Sequence, residues 1–343
     1  MRTDFFDFDL PPDLIAQTPL IRGESRLLVL HRETGKIDHR VFGDLPEYLN
    51  EGDTLVLNDT RVSARRLKAT REGGEDAEVL LLRPCGERSW ETLVKPGRAL
   101  KPGKTLQIRG EGDESVIASV VRSTPEGGRI LEFESEEIRN TLKGWGVSPL
   151  PPYINTPLPV ADEERYQTVY GTHEGSAAAP TAGLHFTEEM LGKVKEMGVS
   201  AAKVTLHVGV GTFRPVRTET LEAHEMHSET AFLSAETADI VNRTSGSIVA
   251  VGTTSVRTLE TATKFAKEGN RVGAFAGETN IFLTPGSRFL ATDRIITNFH
   301  LPKSTLLMLV CAFAGREFAL EAYKEAVGER YRFFSFGDAM LIL

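Results

Sequence analysis

The chain has 343 residues, of which 40% are hydrophobic and 26% charged, the make-up of an ordinary globular protein long enough for two domains. Its net charge of −8 argues against a surface that coats nucleic acid broadly, although local patches rather than totals contact phosphates. No apolar run reaches the ~18 residues of a membrane span, MRTDFFDFDLPPD lacks the features of a signal peptide, and Cys85 with Cys311 are too few for a metal cluster or disulfide framework. A cytoplasmic enzyme with no membrane partner is expected.

In chain order, residues 25–30 (SRLLVL) and 53–58 (DTLVLN) read as short buried strands ending in polar turns. The charges Arg61, Arg65, Arg66, Lys68 and Arg71 follow, either a phosphate-binding patch or a solvated basic face; Lys95, Arg98, Lys101 and Lys104 form a sparser second one. Five short apolar segments (AEVLLL, WETLVK, TLQIRG, VIASVV and GRILEFE) are separated by Gly, Pro and charge, which predicts a small β-barrel or compact antiparallel sheet. ESEEIRNTLKGWG is the first helical stretch, and residues 144–162 are a proline-rich connector. Thr187 caps a helix presenting Leu191, Val194 and Met197 and stopping at Gly198. Strands are expected over 203–208, 247–252, 271–276 and 294–299, and helices over Val256–Lys267, Thr305–Ala314 and Phe318–Val327. The fold class is α/β: a large α/β sheet domain (residues 1–61 and 151–343) covered on both faces, with a smaller β-barrel domain (62–150) inserted near the N-terminus.

Ligands of such sheets lie beyond the carboxyl ends of the strands, where four unusual turns fall. AVGTTS (250–255) sets Gly252, Thr253 and Thr254 between a strand and a helix, either to bind a carboxylate, phosphate or ribose or simply to cap the helix through Thr254 or Ser255. LHVGVGTFRP offers His207, Gly209, Gly211, Thr212 and Arg214. GSAAAPTAGLHFT brings Thr181 and His185, and ITNFHLPKS brings Asn298, His300 and Lys303. Each histidine has a structural reading beside a functional one. His224 and His227, in EAHEMHSE, lack the HExxH spacing of a zinc helix, so substrate binding or acid–base work is favoured over metal. The P-loop, Rossmann and G-x-S-x-G patterns are all missing. The site therefore reads as one that positions a polar cofactor.

NDTRVSARRL, AAPTAGLHFT, VTLHVGVGTFRPV, AVGTTSVRTLE, ITNFHLPKSTLLMLVCAFAG and YRFFSFGDAMLI together resemble the S-adenosylmethionine:tRNA ribosyltransferase-isomerase (QueA) family of queuosine synthesis, over essentially the whole chain. The resemblance implies S-adenosylmethionine (AdoMet) as ribosyl donor and no metal. It implies transfer to 7-aminomethyl-7-deazaguanine at the wobble position of tRNA with a GUN anticodon, giving epoxyqueuosine-tRNA with release of adenine and methionine. A monomer with an α/β domain and a small barrel is also implied. In that light, His185, His207 or His300 supplies proton transfer. Gly209, Gly211, Thr212, Gly252, Thr253, Thr254 and Asn298 hold AdoMet, with Arg257 either contacting an acidic group or forming a structural salt bridge. Asp59, Arg61, Arg65, Arg66, Thr181 and His224 face the tRNA substrate. Trp90 is a base-stacking candidate or a core residue. The competing readings are another AdoMet enzyme, such as a methyltransferase, and a non-catalytic tRNA-binding protein.

Overall fold

The computed structural model describes all residues except 111, 113, 126, 135–137, 139–141, 143–144, 152, 155–159, 210–215 and 217. The first strands are β1 (Arg26–His31), β2 (Lys36–Val41), β3 (Thr54–Asn58) and β4 (Thr60–Val62). The barrel strands follow: β5 (Arg65–Arg71), β6 (Asp76–Pro84), β7 (Ser89–Lys95), β8 (Thr105–Arg109), β9 (Ser115–Ser123) and β10 (Arg129–Phe133). Then come β11 (His173–Ser176), β12 (Ser200–Leu206), β13 (Glu229–Leu233), β14 (Ile248–Val251), β15 (Phe275–Thr279), β16 (Arg294–Asn298) and β17 (Ala339–Ile342). Nine of them form one mixed sheet in the order β15-β13-β12-β3-β14-β16-β17-β1-β2, and β5–β10 close a six-stranded barrel.

The central strands read as unbroken apolar runs because both of their faces are buried. Leu28, Leu30, Val56, Ala250 and Ile295 face one core, against the helices Ala235–Arg243, Thr253–Ala262, Thr305–Ala314 and Arg316–Gly328. Leu27, Val29, Leu55, Leu57, Val249, Val251 and Ile296 face the other, against Phe42, Leu45, Phe186 and the helix Glu188–Glu196. Each of the valine, leucine, isoleucine and phenylalanine side chains contributes ~1.5–3 kcal/mol when fully buried. Thr187 caps the last-named helix by accepting from the Met190 amide at 3.0 Å. Among the described residues, no helix is long and apolar enough to cross a membrane.

Three local expectations change. The barrel has a sixth strand, β5, inside the run expected only as a basic patch: Leu67 and Ala69 point into the barrel core while Arg66 and Lys68 alternate outward. The strand expected over 271–276 starts at Phe275 instead. Gly273 there lies flat on the chain before it, so that a β-carbon would meet the Phe265 carbonyl oxygen at 1.9 Å, and Arg271 turns back to Asp293 at 2.7 and 2.8 Å. Met197, expected on the buried face of its helix, is 37% exposed, and Met190 packs with Val194 instead. Most of the helix expected over 134–146, and part of the connector expected over 144–162, lies outside the described residues. Within that span Ile138, Leu142 and Trp145 are buried in the barrel core, against which Trp90 also packs.

Candidate active site

Strands β12, β3, β14 and β16 run parallel and adjacent. Their carboxyl ends therefore lie side by side and release the turns His207–Gly209, Asp59–Thr60, Gly252–Thr254 and Phe299–His300 in one row. A cleft of about 750 Å³, counting space open to solvent, lies over the β14 and β16 ends. The small-residue loop Ala179–Ala182 forms one wall, Tyr153, Phe299, Leu301 and Phe334 supply apolar surface, and Thr253, Thr297, Ser304 and Ser335 supply hydroxyls.

Gly252 precedes the helix with φ at +89°, and no side chain caps the first turn. The hydroxyls that the sequence offered as caps are engaged elsewhere: Ser255 Oγ donates to the Val251 carbonyl at 2.7 Å, and Thr254 Oγ1 accepts from Asn58 Nδ2 at 3.1 Å. Among the described residues the leading N–H groups of this ten-residue helix thus lack a side-chain acceptor, at the end where the helix dipole favours negative charge.

Asn298 closes β16, is 2% exposed and lines the same cleft. Its Nδ2 donates to the Phe334 carbonyl and to His185 Nε2, each at 3.1 Å, whereas its Oδ1 has no partner among the described residues. Phe334 holds a left-handed backbone, φ +73°, uncommon for a bulky residue, and its ring stacks on Tyr153 with centroids 4.2 Å apart. His300 also lines the cleft, and its Nε2 pairs with Thr297 Oγ1 at 2.8 Å. Burial pushes the imidazole of His300 down to about 3, and that of His185 to the same level with help from the nearby Arg22 charge. His185 lies behind the cleft, in the wall of a second cavity of about 360 Å³ shared with Arg22, Ser25 and Arg165.

At the β3 and β12 ends the polar groups bond to one another. Asn58 accepts from the Leu206 and Thr60 amides and donates to the Leu206 carbonyl and Thr254. Asp59 accepts from Thr205 Oγ1 at 2.7 Å and pairs with His173 Nδ1 at 3.0 Å. Thr60 Oγ1 meets His207 Nδ1 at 2.8 Å, and burial, then the neighbouring His173 charge, lowers the His207 pKa. The Gly209 amide donates to Glu229 Oε1 at 2.9 Å, and Glu229 is ion-paired with Arg257, both nearly fully buried. Of the two readings open for Arg257, the structure shows the salt bridge.

Gly252, Thr253, Thr254, Thr181, Asn298 and His300 are thus brought together. Asp59, His207 and Gly209 sit in the neighbouring row, and His185 and Arg257 stand behind. Arg61, Arg65 and Arg66 pair with Glu164, Glu163 and Glu78. His224 packs edge-on against Phe282 with centroids 5.4 Å apart, outside the cleft. Gly211, Thr212 and Arg214 lie outside the described residues. No group of three or more His, Cys, Asp or Glu is placed to hold a metal among the described residues. The sequence reading missed Ser304, inside the turn it had singled out after β16, and Tyr153, Phe334 and Ser335, which reach the cleft from segments without a strand-to-turn signature.

A family model described as queuosine biosynthesis protein matches residues 3–342. The S-adenosylmethionine:tRNA ribosyltransferase-isomerases of Symbiobacterium thermophilum and Clostridioides difficile are 53% and 52% identical to this chain, each match covering 100% of both sequences. The crystal structure of S-adenosylmethionine tRNA ribosyltransferase from Thermotoga maritima is similar with a TM-score of 0.56 and 40% identity, over 99% of this chain and 100% of that one.

Proposed function

The chain belongs to the queuosine biosynthesis family and is an AdoMet-dependent tRNA ribosyltransferase-isomerase, and from that premise we propose that the cleft over β14 and β16 is where AdoMet meets the modified base. The reaction is transfer and isomerisation of the AdoMet ribosyl group onto 7-aminomethyl-7-deazaguanine at the wobble position of tRNA with a GUN anticodon. Epoxyqueuosine-tRNA, adenine and methionine are the products. The enzyme works as a cytoplasmic monomer without a metal, residues 1–61 and 151–343 forming the catalytic part and 62–150 an RNA-facing barrel.

The observation that carries this reading is the uncapped helix start at Gly252–Thr254 facing the same cleft as the unpartnered Asn298 oxygen. The helix N-terminus and Thr253 suit the methionine carboxylate or the ribose; the apolar wall suits the adenine. Of the three candidate histidines His300 lines the cleft, so the proton-transfer step is assigned to it. Its burial keeps the imidazole neutral, and a weak base, at physiological pH. The enclosed wall also excludes water and aligns the tRNA-borne amine. A flipped wobble base entering from the RNA side is the economical geometry, with phosphates displacing Glu163 and Glu164 from Arg65 and Arg61.

The test is to incubate the protein with AdoMet and precursor-bearing tRNA and to resolve the small products. Adenine and methionine in equal amounts are expected. S-adenosylhomocysteine would instead indicate methyl transfer, and unchanged AdoMet a tRNA-binding protein; either sinks the proposal. Sedimentation of the free enzyme checks the monomer.

A further inference from the structure

The polar atoms behind the cleft form a chain with one direction. The Asn298 amide nitrogen faces Phe334 O and His185 Nε2 at 3.1 Å and Asp338 O at 3.5 Å. Turning the amide over would set its oxygen against two carbonyl oxygens, so the nitrogen points inward. An amide nitrogen only donates, and His185 therefore accepts at Nε2. A neutral imidazole in that role carries its proton on Nδ1, where Ser25 Oγ lies at 2.5 Å. The ring is 5% exposed and stacks on Phe42, centroids 4.9 Å apart. Both of its nitrogens are engaged inside the protein, which leaves His185 no lone pair for a substrate proton. What the chain delivers is Asn298 Oδ1, a nearly fully buried acceptor left without a partner among the described residues, on a residue that lines the cleft, and such a group calls for a partner from a water or a ligand.

We propose that Asn298 Oδ1 receives a hydrogen bond from an N–H or O–H of the nucleoside part of AdoMet, and that His185 is the positioning residue that aims it. This rests on AdoMet occupying the cleft. The adenine amine and the ribose hydroxyls share the required donor chemistry.

The experiment is steady-state adenine release with precursor tRNA at varied AdoMet. His185→Leu should raise KM for AdoMet about tenfold, the scale of one hydrogen bond, with kcat within about threefold and an unaltered pH profile. His185→Gln, whose Oε1 can accept from Asn298, should restore KM to within about threefold. Asn298→Ala should raise KM at least as far, and adding His185→Leu to it should change nothing more. AdoMet analogues lacking the 6-amino group or the ribose 2′-hydroxyl identify the donor, because Asn298→Ala should stop discriminating against one of them. Wild-type KM in His185→Leu overturns the proposal. So does a lost limb of the pH profile that glutamine fails to rescue, or unchanged discrimination against both analogues by Asn298→Ala. If His185→Leu does not fold, Ser25→Ala carries the same expectation at about threefold. Wild-type enzyme that releases no adenine defeats the functional reading itself; a turning-over wild type beside variants of normal KM defeats only this inference.

Discussion

Two asparagines end the strands that flank β14 in the sheet and meet opposite fates. Asn58, at the end of β3, spends both its oxygen and its nitrogen on Leu206, Thr60 and Thr254. Asn298, at the end of β16, spends only its nitrogen among the described residues. Around each the pattern repeats: Asp59, Thr205, His173, Thr60 and His207 are paired with one another, while the helix start at Gly252 is left uncapped. Polar residues at the carboxyl end of a parallel sheet are therefore not enough to mark a ligand site; the accounting of their partners separates a structural joint from a binding surface.

The sharpest way to break that comparison is Arg257→Met. If Arg257 belongs to the structural joint, its loss strands the buried Glu229 charge and costs about 3–5 kcal/mol of stability by urea titration. KM for AdoMet in the remaining folded protein should stay near wild type. Normal stability with a raised KM would move Arg257 to the ligand side.

Acid comes next. The folded pKa of His185 and of His300 lies at about 3, below the unfolded value of about 6.5. Between those values the unfolded chain takes the proton and the folded chain does not, so stability falls as pH drops below 6.5 and is insensitive to these groups above it. At pH 5 the loss should be about 2 kcal/mol per histidine. His185→Gln should remove one such increment from the pH dependence of the unfolding midpoint; an unchanged dependence would mean the histidine is not buried neutral.

Thr253→Val sharpens the other side of the comparison. It should lower kcat/KM for AdoMet about tenfold, roughly 1.4 kcal/mol, while shifting stability by under about 0.5 kcal/mol. The smallest effects belong to the surface pairs. Arg61→Ala and Arg65→Ala should each change stability by less than about 1 kcal/mol. If they grip phosphates, each should flatten the salt dependence of tRNA binding by a slope of about 0.7–0.9, and identical salt slopes would return both to a purely structural pairing.

Much of this arrangement was legible in the sequence because it obeys local rules. Apolar runs such as LVLN and IVAV marked the strands, and Gly252, Thr253, Asn298 and His300 were found because each lies in a short turn between a strand end and a helix start. The β5 strand was hidden because its outward charges outweighed Leu67 and Ala69 in a reading by charge. Arg257 remained ambiguous because its partner Glu229 lies 28 residues away on another element. Ser335 and Phe334 lie in the YRFFSFGDAMLI motif but in no strand-to-turn pattern: they reach the cleft where the Phe334 backbone turns left-handed beside Asn298. Residue types show which atoms can donate or accept, but which of them stay unpaired is set by the tertiary fold.

The placement of β17 has a consequence for how the protein is made. It sits between β16 and β1, and the Arg26 amide meets the Asp338 carboxylate across 312 residues of sequence. Until residue 342 has been synthesised, the β1–β2 hairpin has no seat on the sheet. Phe334 and Asp338, whose carbonyls orient Asn298, arrive in the same late stretch. A chain stopped short on the ribosome can close its barrel, whose strands are neighbours in sequence, yet holds no finished cleft. Translation thus delivers the barrel early and the cleft last.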